Sequence, residues 1–323
     1  EMSASLVGSE MCIRDRGYTG QGQTIAVIDT GIKVNHTNFA TAPQDPHFDA
    51  AGIQSVLNRY DLCAEERYNG TLTGATLYHS AKLPFTFNYY AGNTDVSHAS
   101  AGSDHGTHVS SIAAGCDSSS RGVAYNAQII SMQVFQNGGA AWSEILAALE
   151  DCAWLEVDAL NMSLGSDNGF TQGEADMEEV FALLTAHGVN CAVAAGNSGT
   201  AGSGNNYGSK QPTFNMDNGV VASPSTLGGS LSVAASSNSS SATPTSYSSW
   251  GTTADLSIKP EIMAPGDNIR AATDSQYSYS NYGTKSGTSM ASPHIAGSMV
   301  LVNQYVNTAF PSLSEQARME MVN

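Results

Sequence analysis

The sequence predicts an α/β fold, three layers of α/β/α around a central, mainly parallel sheet. Three observations carry this. Short apolar runs bounded by turn residues recur along the chain, helical patterns fall between them, and 41% of the 323 residues are hydrophobic. Repetition of strand, helix and strand builds a parallel sheet covered by helices on both faces. The apolar share suffices for its core. In such sheets working groups gather at the C-terminal ends of the strands.

Taken in order, the first stretch fits none of this. "LVGSEMCIRDR" (6–16) resembles the in-frame translation of a transposase-type sequencing adapter. Residues 1–16 are therefore expected to be a non-native leader and 17–323 the folded domain. "TIAVID" (24–29) is β-branched, Gly-bounded and reads as a buried strand. "HGTHVSSIAAG" (105–115) reads as a helix of small residues, and "AQIISMQVF" (127–135) as the next strand. "SEILAALEDCAWL" (143–155) and "GEADMEEVFALLTAHG" (173–188) carry apolar residues at helical spacing; the second stops at Gly188. "DALNMSLG" (158–165) and "VNCAVAAG" (189–196) read as buried strands, and "SSNSSSATPTSYSS" (236–249) as linker-like. "KSGTSMASPHIAG" (285–297) opens another helix, whose first turn accepts a proline such as Pro293. "SEQARMEMVN" (314–323) stops inside a helix-like pattern, so a domain truncated at its C-terminus is expected.

Composition narrows the partners. Twelve Lys+Arg stand against 29 Asp+Glu, a net charge of −17, which argues against nucleic acid because phosphate binding needs clustered cations. No apolar run reaches the roughly 18 residues of a membrane span, and no signal peptide is visible. Outside the leader, which holds Cys12, the cysteines are Cys63, Cys116, Cys152 and Cys191. No spacing suggests zinc. Buried thiols are expected, with a Cys63–Cys116 disulfide as the alternative.

Four short segments carry chemistry. Asp29 closes the first strand in "AVIDTGI". A ribose-binding carboxylate would need G-x-G-x-x-G after that strand, which is absent. An aspartic-protease carboxylate would need a second Asp-Thr-Gly, which is also absent. The orienting carboxylate of a nucleophilic triad is the third reading. In "SDHGTHVSSIAAG", His105 stands at a helix start where Gly106 permits close approach, while His108 is expected to pack rather than react. "AVAAGNSG" runs a strand into Asn197, whose amide suits a developing oxyanion; an ordinary turn is the bland reading. Ser289 sits at a helix N-terminus, where unpaired N–H groups and the dipole favour negative charge.

The order Asp29, His105, Ser289 is the Asp-His-Ser order of subtilisin, not that of chymotrypsin or the α/β-hydrolases. With Asn197 between them, "VIDTGI", "HGTHV", "AAGNSG" and "GTSMASPHIAG" resemble the four signature blocks of the subtilisin-like serine peptidases. "PFTFNYYAGNTDVSH", "VASPSTLGGSLSVAAS" and "YSSWGTTADLSIKPEIMAPGDNI" look most similar to the lactocepin-type cell-envelope members.

The resemblance implies a subtilisin-like fold and a serine endopeptidase acting on extracellular proteins. Asp29, His105 and Ser289 would be catalytic, and Asn197 would hold the oxyanion with the Ser289 N–H. Ser163, Leu164 and Gly165 on one side and Gly138, Gly139 and Ala140 on the other would bind substrate as an extended strand. The floor of the main side-chain pocket would come from "SGTAGSGNNYG" (198–208). The resemblance also implies an N-terminal prodomain as partner and a secreted or wall-anchored protein of a Gram-positive bacterium. Lactocepin-type enzymes often insert a protease-associated domain; here the Ser-rich run 236–249 stands in its place. No cofactor is required for the chemistry. Structural calcium is compatible with the acidic loops holding Asp45, Asp49, Asp61, Asp95 and Asp104, and a solvated acidic surface explains these equally well. A catalytically silent, peptide-binding surface module is the alternative function.

Overall fold

The computed structural model describes residues 13–97, 103–166, 175–199, 221–239, 241–253, 255–274 and 278–322. Six strands of the central sheet are β1 (Thr24–Asp29), β2 (Phe85–Asn88), β3 (Gln128–Gln133), β4 (Ala159–Met162), β5 (Asn190–Ala194) and β6 (Ser230–Ser236). Two short strands, β7 (Gly251–Thr252) and β8 (Ile258–Lys259), pair with each other, and β9 (Ile262–Pro265) completes the sheet. Its order is β2-β3-β1-β4-β5-β6-β9, with every pairing parallel. An antiparallel pair, β10 (Ile269–Ala272) and β11 (Tyr282–Lys285), follows.

The helices are α1 (Ala50–Leu57), α2 (Cys63–Arg67), α3 (Gly74–Leu77), α4 (His105–Ala114), α5 (Trp142–Trp154), α6 (Ala175–Ala186), α7 (Thr288–Ala309) and α8 (Glu315–Val322). Alternate strand residues face opposite ways, and each face builds its own core. Ala26, Ile28, Ile130, Met132 and Leu160 pack with Ile53, Leu149 and Phe181 on the α1, α5 and α6 side. Ile25, Val27, Ile129 and Ala159 pack with Val109, Ile112, Met299 and Val300 on the α4 and α7 side. This is the three-layer α/β/α arrangement read from the sequence.

Strand β1 is the switch point. β2 and β3 lie on one side of it, while β4, β5, β6 and β9 lie on the other. The crevice where chemistry is expected in an open parallel sheet therefore opens beside the C-terminal end of β1, at Asp29.

Three expectations change. The Ser-rich run is built into the fold rather than loosely linking parts. Ser248 and Ser249 are fully buried, and Ser248 Oγ accepts from Ala235 N at 2.9 Å. Cys63 and Cys116 are half-buried free thiols, so the disulfide alternative fails; only Cys152 and Cys191 are buried. Pro293 lies in the second turn of α7, with consequences described below. Residues 13–16 of the expected leader touch the fold: Ile13 rests against the α4/α7-side core, and the Arg14 guanidinium lies 5.3 Å over the Tyr125 ring. Residues 1–12 lie outside the described residues.

The acidic loops are dispersed. Asp49 caps α1 by accepting from Gly52 N at 2.7 Å, Asp95 accepts from Ser97 N at 2.9 Å, and Asp104 pairs with Lys285. Among the described residues no three His, Cys, Asp or Glu side chains converge, and no helix is long and apolar enough to cross a membrane.

Candidate active site

The first pair is fixed by the end of β1 and the start of α4. Asp29 is 1% exposed, and its carboxylate takes the His105 ring nitrogen Nδ1 at 2.8 and 3.0 Å. Thr30 N–H donates to the same carboxylate at 2.7 Å, and Thr30 Oγ1 in turn accepts from Gly106 N at 2.9 Å. The helix can come this close only because residue 106 is glycine. A Cβ there would lie 2.3 Å from the Gly31 carbonyl oxygen and 3.1 Å from Asp29 Cβ. With Nδ1–H donated to Asp29, His105 Nε2 keeps its lone pair for a proton.

Burial works to lower the His105 pKa. The charge and hydrogen bond of Asp29 outweigh it, Lys285 opposes and Asp104 assists, and the result is a pKa above the ordinary 6.5. His108 follows the opposite course. It is fully buried, its Nε2 meets the carbonyls of Ile269 at 3.0 Å and Gly283 at 3.3 Å, and burial lowers its pKa to about 4. It packs, as its sequence context predicts.

Ser289 is the second residue of α7, and its placement depends on Pro293. A proline has no N–H to give the carbonyl four residues back, which here is that of Ser289. The Ser163 hydroxyl supplies the missing donor at 2.8 Å. Ser289 Oγ–H returns the contact by donating to the Ser163 carbonyl at 3.2 Å. Behind Ser163, Asn161 Nδ2 donates to Ser163 Oγ at 3.0 Å, and Ser292 Oγ–H donates to Asn161 Oδ1 at 2.8 Å. Both Asn161 and Ser292 are fully buried. Because Ile28 pairs with Met162, Ser163 continues β4 one strand spacing from Asp29. The Ser289 hydroxyl thus sits at the same sheet edge as the Asp29–His105 pair, bonded to Ser163 rather than to the imidazole.

Asn197 is reached from β5 through Gly196, whose φ of +103° suits only glycine and whose Cβ would stand 3.0 Å from Ser249 Oγ. The Ser-rich run braces this turn: Ser249 Oγ accepts from Ser198 N at 2.9 Å, and Ser249 N donates to Gly196 O at 2.9 Å. Thr288 sets the amide. Its N–H and hydroxyl both donate to Asn197 Oδ1, at 2.9 and 3.2 Å, while its Oγ1 accepts from Gly196 N at 3.2 Å. Both bonds fall on the carbonyl side, so Nδ2 keeps its N–H donors without a partner among the described residues, and Asn197 and Ser289 together line a cavity of about 240 Å³. Sequence reasoning missed Thr288, Asn161 and Ser292. The hydroxyl beside the nucleophile is the one signal that could have drawn attention to Thr288.

Ser163, Leu164 and Gly165 line the same cavity, with Phe135, Ala194 and Ala222 as further apolar wall. Gly138, Gly139 and Ala140 do not. Gln136 and Gly139 exchange backbone bonds at 2.8 and 3.0 Å in a tight turn, Gly138 and Gly139 are exposed, and Ala140 packs against the core. Of the pocket-floor segment 198–208, all beyond Gly199 lies outside the described residues.

Comparisons with known proteins place the chain in a family. The Subtilase family model matches residues 20–323. The PII-type proteinase of Lacticaseibacillus paracasei is 32% identical over 233 residues, 68% of this chain and 12% of its own length. Subtilisin DY of Bacillus licheniformis is 28% identical over 306 residues, 94% of this chain and 82% of its own. Among solved structures, a cold adapted subtilisin-like serine proteinase superposes with a TM-score of 0.59 at 25% identity, covering 94% of this chain and 81% of that one.

Proposed function

The chain belongs to the subtilase family, and on that premise we propose that it is the peptidase domain of an extracellular serine endopeptidase. One observation supports this reading above the rest. A buried carboxylate orients His105 at the sheet edge where Ser289 and Asn197 share one cavity. In the proposed reaction the Ser289 hydroxyl turns from the Ser163 carbonyl to His105 Nε2, loses its proton there, and attacks a peptide carbonyl. His105 then protonates the leaving amine, while Asp29 holds the imidazole and stabilises its charged form. Asn197 Nδ2 and Ser289 N–H receive the oxyanion.

Substrate would add as an extended strand along Ser163–Gly165, where main-chain bonds accept any sequence. Gly138, Gly139 and Ala140 would form the opposite rail, reached by the peptide outside the cavity. The mechanism uses side chains and backbone alone, and calcium would serve structure only. The relatives are proteinases of Lactococcus, Lacticaseibacillus and Bacillus, which supports a secreted or wall-anchored protein of a Gram-positive bacterium.

Fluorophosphonate labelling tests the assignment. The full gene product is expected to label, and Ser289→Ala to abolish labelling. Asn197→Leu should lower kcat by roughly 10²–10³, a magnitude taken over from the matching amide of subtilisin. Labelling that survives Ser289→Ala would refute the nucleophile. A properly folded chain that never labels would return the silent, peptide-binding alternative.

A further inference from the structure

Another cavity, of about 250 Å³, opens between α4, α7 and β10. None of the residues lining it lines the cavity of Ser289. Two guanidinium groups border it. Arg121 lies 5.0 Å over the Tyr125 ring and Arg270 lies 4.6 Å over the Tyr282 ring, so each head is held by its face while its N–H edge stays available. Neither has a carboxylate partner among the described residues, although carboxylates greatly outnumber cations in this chain. Asp117, which neighbours the rim, is already occupied by Tyr282, Thr37, Ser119 and Ser120.

The third group comes from inside. His294 is 7% exposed and lines the cavity; its Nδ1–H donates to Met290 O at 2.8 Å, and its other ring nitrogen, Nε2, makes no hydrogen bond among the described residues. Since Nδ1 carries the proton of the neutral ring, Nε2 is an acceptor. Two charged donors and one neutral acceptor match an anion that presents bare oxygens and one hydroxyl. A carboxylate has no such hydroxyl, and a hydrogen phosphate has one.

We propose that the cavity between α4, α7 and β10 binds a singly protonated phosphate group, its charged oxygens on Arg121 and Arg270 and its hydroxyl on His294 Nε2. Arg14 also borders the cavity, but it belongs to the segment expected to be foreign and has no part in the proposal. The two helices involved carry His105 and Ser289 at their N-termini, so an occupant would tie together the elements that present the reacting groups.

The test uses the Ser289→Ala chain, to prevent self-cleavage, titrated with inorganic phosphate at constant ionic strength. The His294 ring nitrogens are followed by long-range ¹H–¹⁵N NMR. A saturable shift is expected, and Arg121→Gln with Arg270→Gln should weaken it roughly tenfold or more, as loss of charge-assisted bonds requires. Sulfate, which carries no proton at neutral pH, should bind more weakly. A phosphoserine peptide distinguishes the source: comparable affinity assigns the site to phosphorylated chains, and binding of inorganic phosphate alone assigns it to the free ion. A linear, unsaturated response means an adventitious ion only and overturns the proposal. So does equal affinity in the double variant, or loss of binding when the chain starts at Gly17.

Discussion

At the scale of single residues, His105 ties the charge distribution to the pH at which the proposed peptidase works. The base must be neutral, so activity falls as pH drops through the raised pKa, and the acid limb of kcat/KM lies above the ordinary 6.5. Two neighbours pull on it in opposite senses, Lys285 lowering the pKa and Asp104 raising it, while paired with each other at 2.7 Å. Lys285→Met removes the lowering influence and unmasks Asp104, so the limb moves to higher pH. Asp104→Asn leaves Lys285 alone, and the limb moves to lower pH. The pair is partly exposed, so each displacement should be small. Profiles of kcat/KM on one peptide substrate would check the signs; displacement of both variants in the same direction contradicts this account of His105.

At the scale of elements, the decisive junction joins the end of β4 to the first turns of α7. Pro293 leaves the Ser289 carbonyl without its helical donor, and the end of β4 answers through Ser163, held by Asn161, which Ser292 of α7 bonds in turn. This chain of bonds fixes the helix start against the sheet, so the nucleophile is positioned in part by Asn161 and Ser292, buried residues that do not line the cavity. Asn161→Ala strands the hydroxyls of Ser163 and Ser292, a loss of about 1–3 kcal/mol in stability. In the proposed enzyme it should also lower kcat by roughly three- to tenfold, as the loss of one net hydrogen bond from the transition state would, with KM little changed. Asn161→Asp keeps the acceptor for Ser292 but puts an unpaired carboxylate at a fully buried position, so it should be at least as destabilised in urea unfolding. A rise in KM at constant kcat would mean that the junction shapes substrate binding instead. The same logic explains why the sequence pattern alone placed Pro293 in the first turn: the compensating donor lies 126 residues away, in another element.

At the scale of the whole molecule, legibility followed burial and distance along the chain. The strands ending in Asp29, Ser163 and Asn197 were readable because a strand covered on both faces is an unbroken apolar run. β6 and β9 were not, since "SLSVAAS" and "IMAP" mix serine and proline into equally buried positions. Asp151 reads as one polar residue of an amphipathic helix. Its carboxylate nevertheless accepts from Cys63 N, Ala64 N and the Tyr89 hydroxyl, at 2.7, 3.0 and 2.7 Å, which no local pattern could announce. Lys82 is likewise 1% exposed with its ammonium on the carbonyls of Tyr125 and Ala127. The same distances bear on folding. β1 cannot pair until β3 and β4 have been made, at Gln128 and Ala159, and the site closes only when α7 arrives with Ser289. Parallel pairings this remote in sequence fold slowly, and their late closure leaves the native state protected by a barrier. Residues 17–323 diluted from denaturant are therefore expected to regain little activity by themselves. A prodomain of the kind that the resemblance to subtilisin-like peptidases implies is proposed to raise, when added in trans, the yield of fluorophosphonate-reactive enzyme. Once folded, the enzyme should keep its activity after the prodomain is removed, because the prodomain lowers a barrier and leaves the end state as it was. Refolding yield scored by active-site labelling, with and without the prodomain, checks this; equal yields would mean that the remote pairings form unaided.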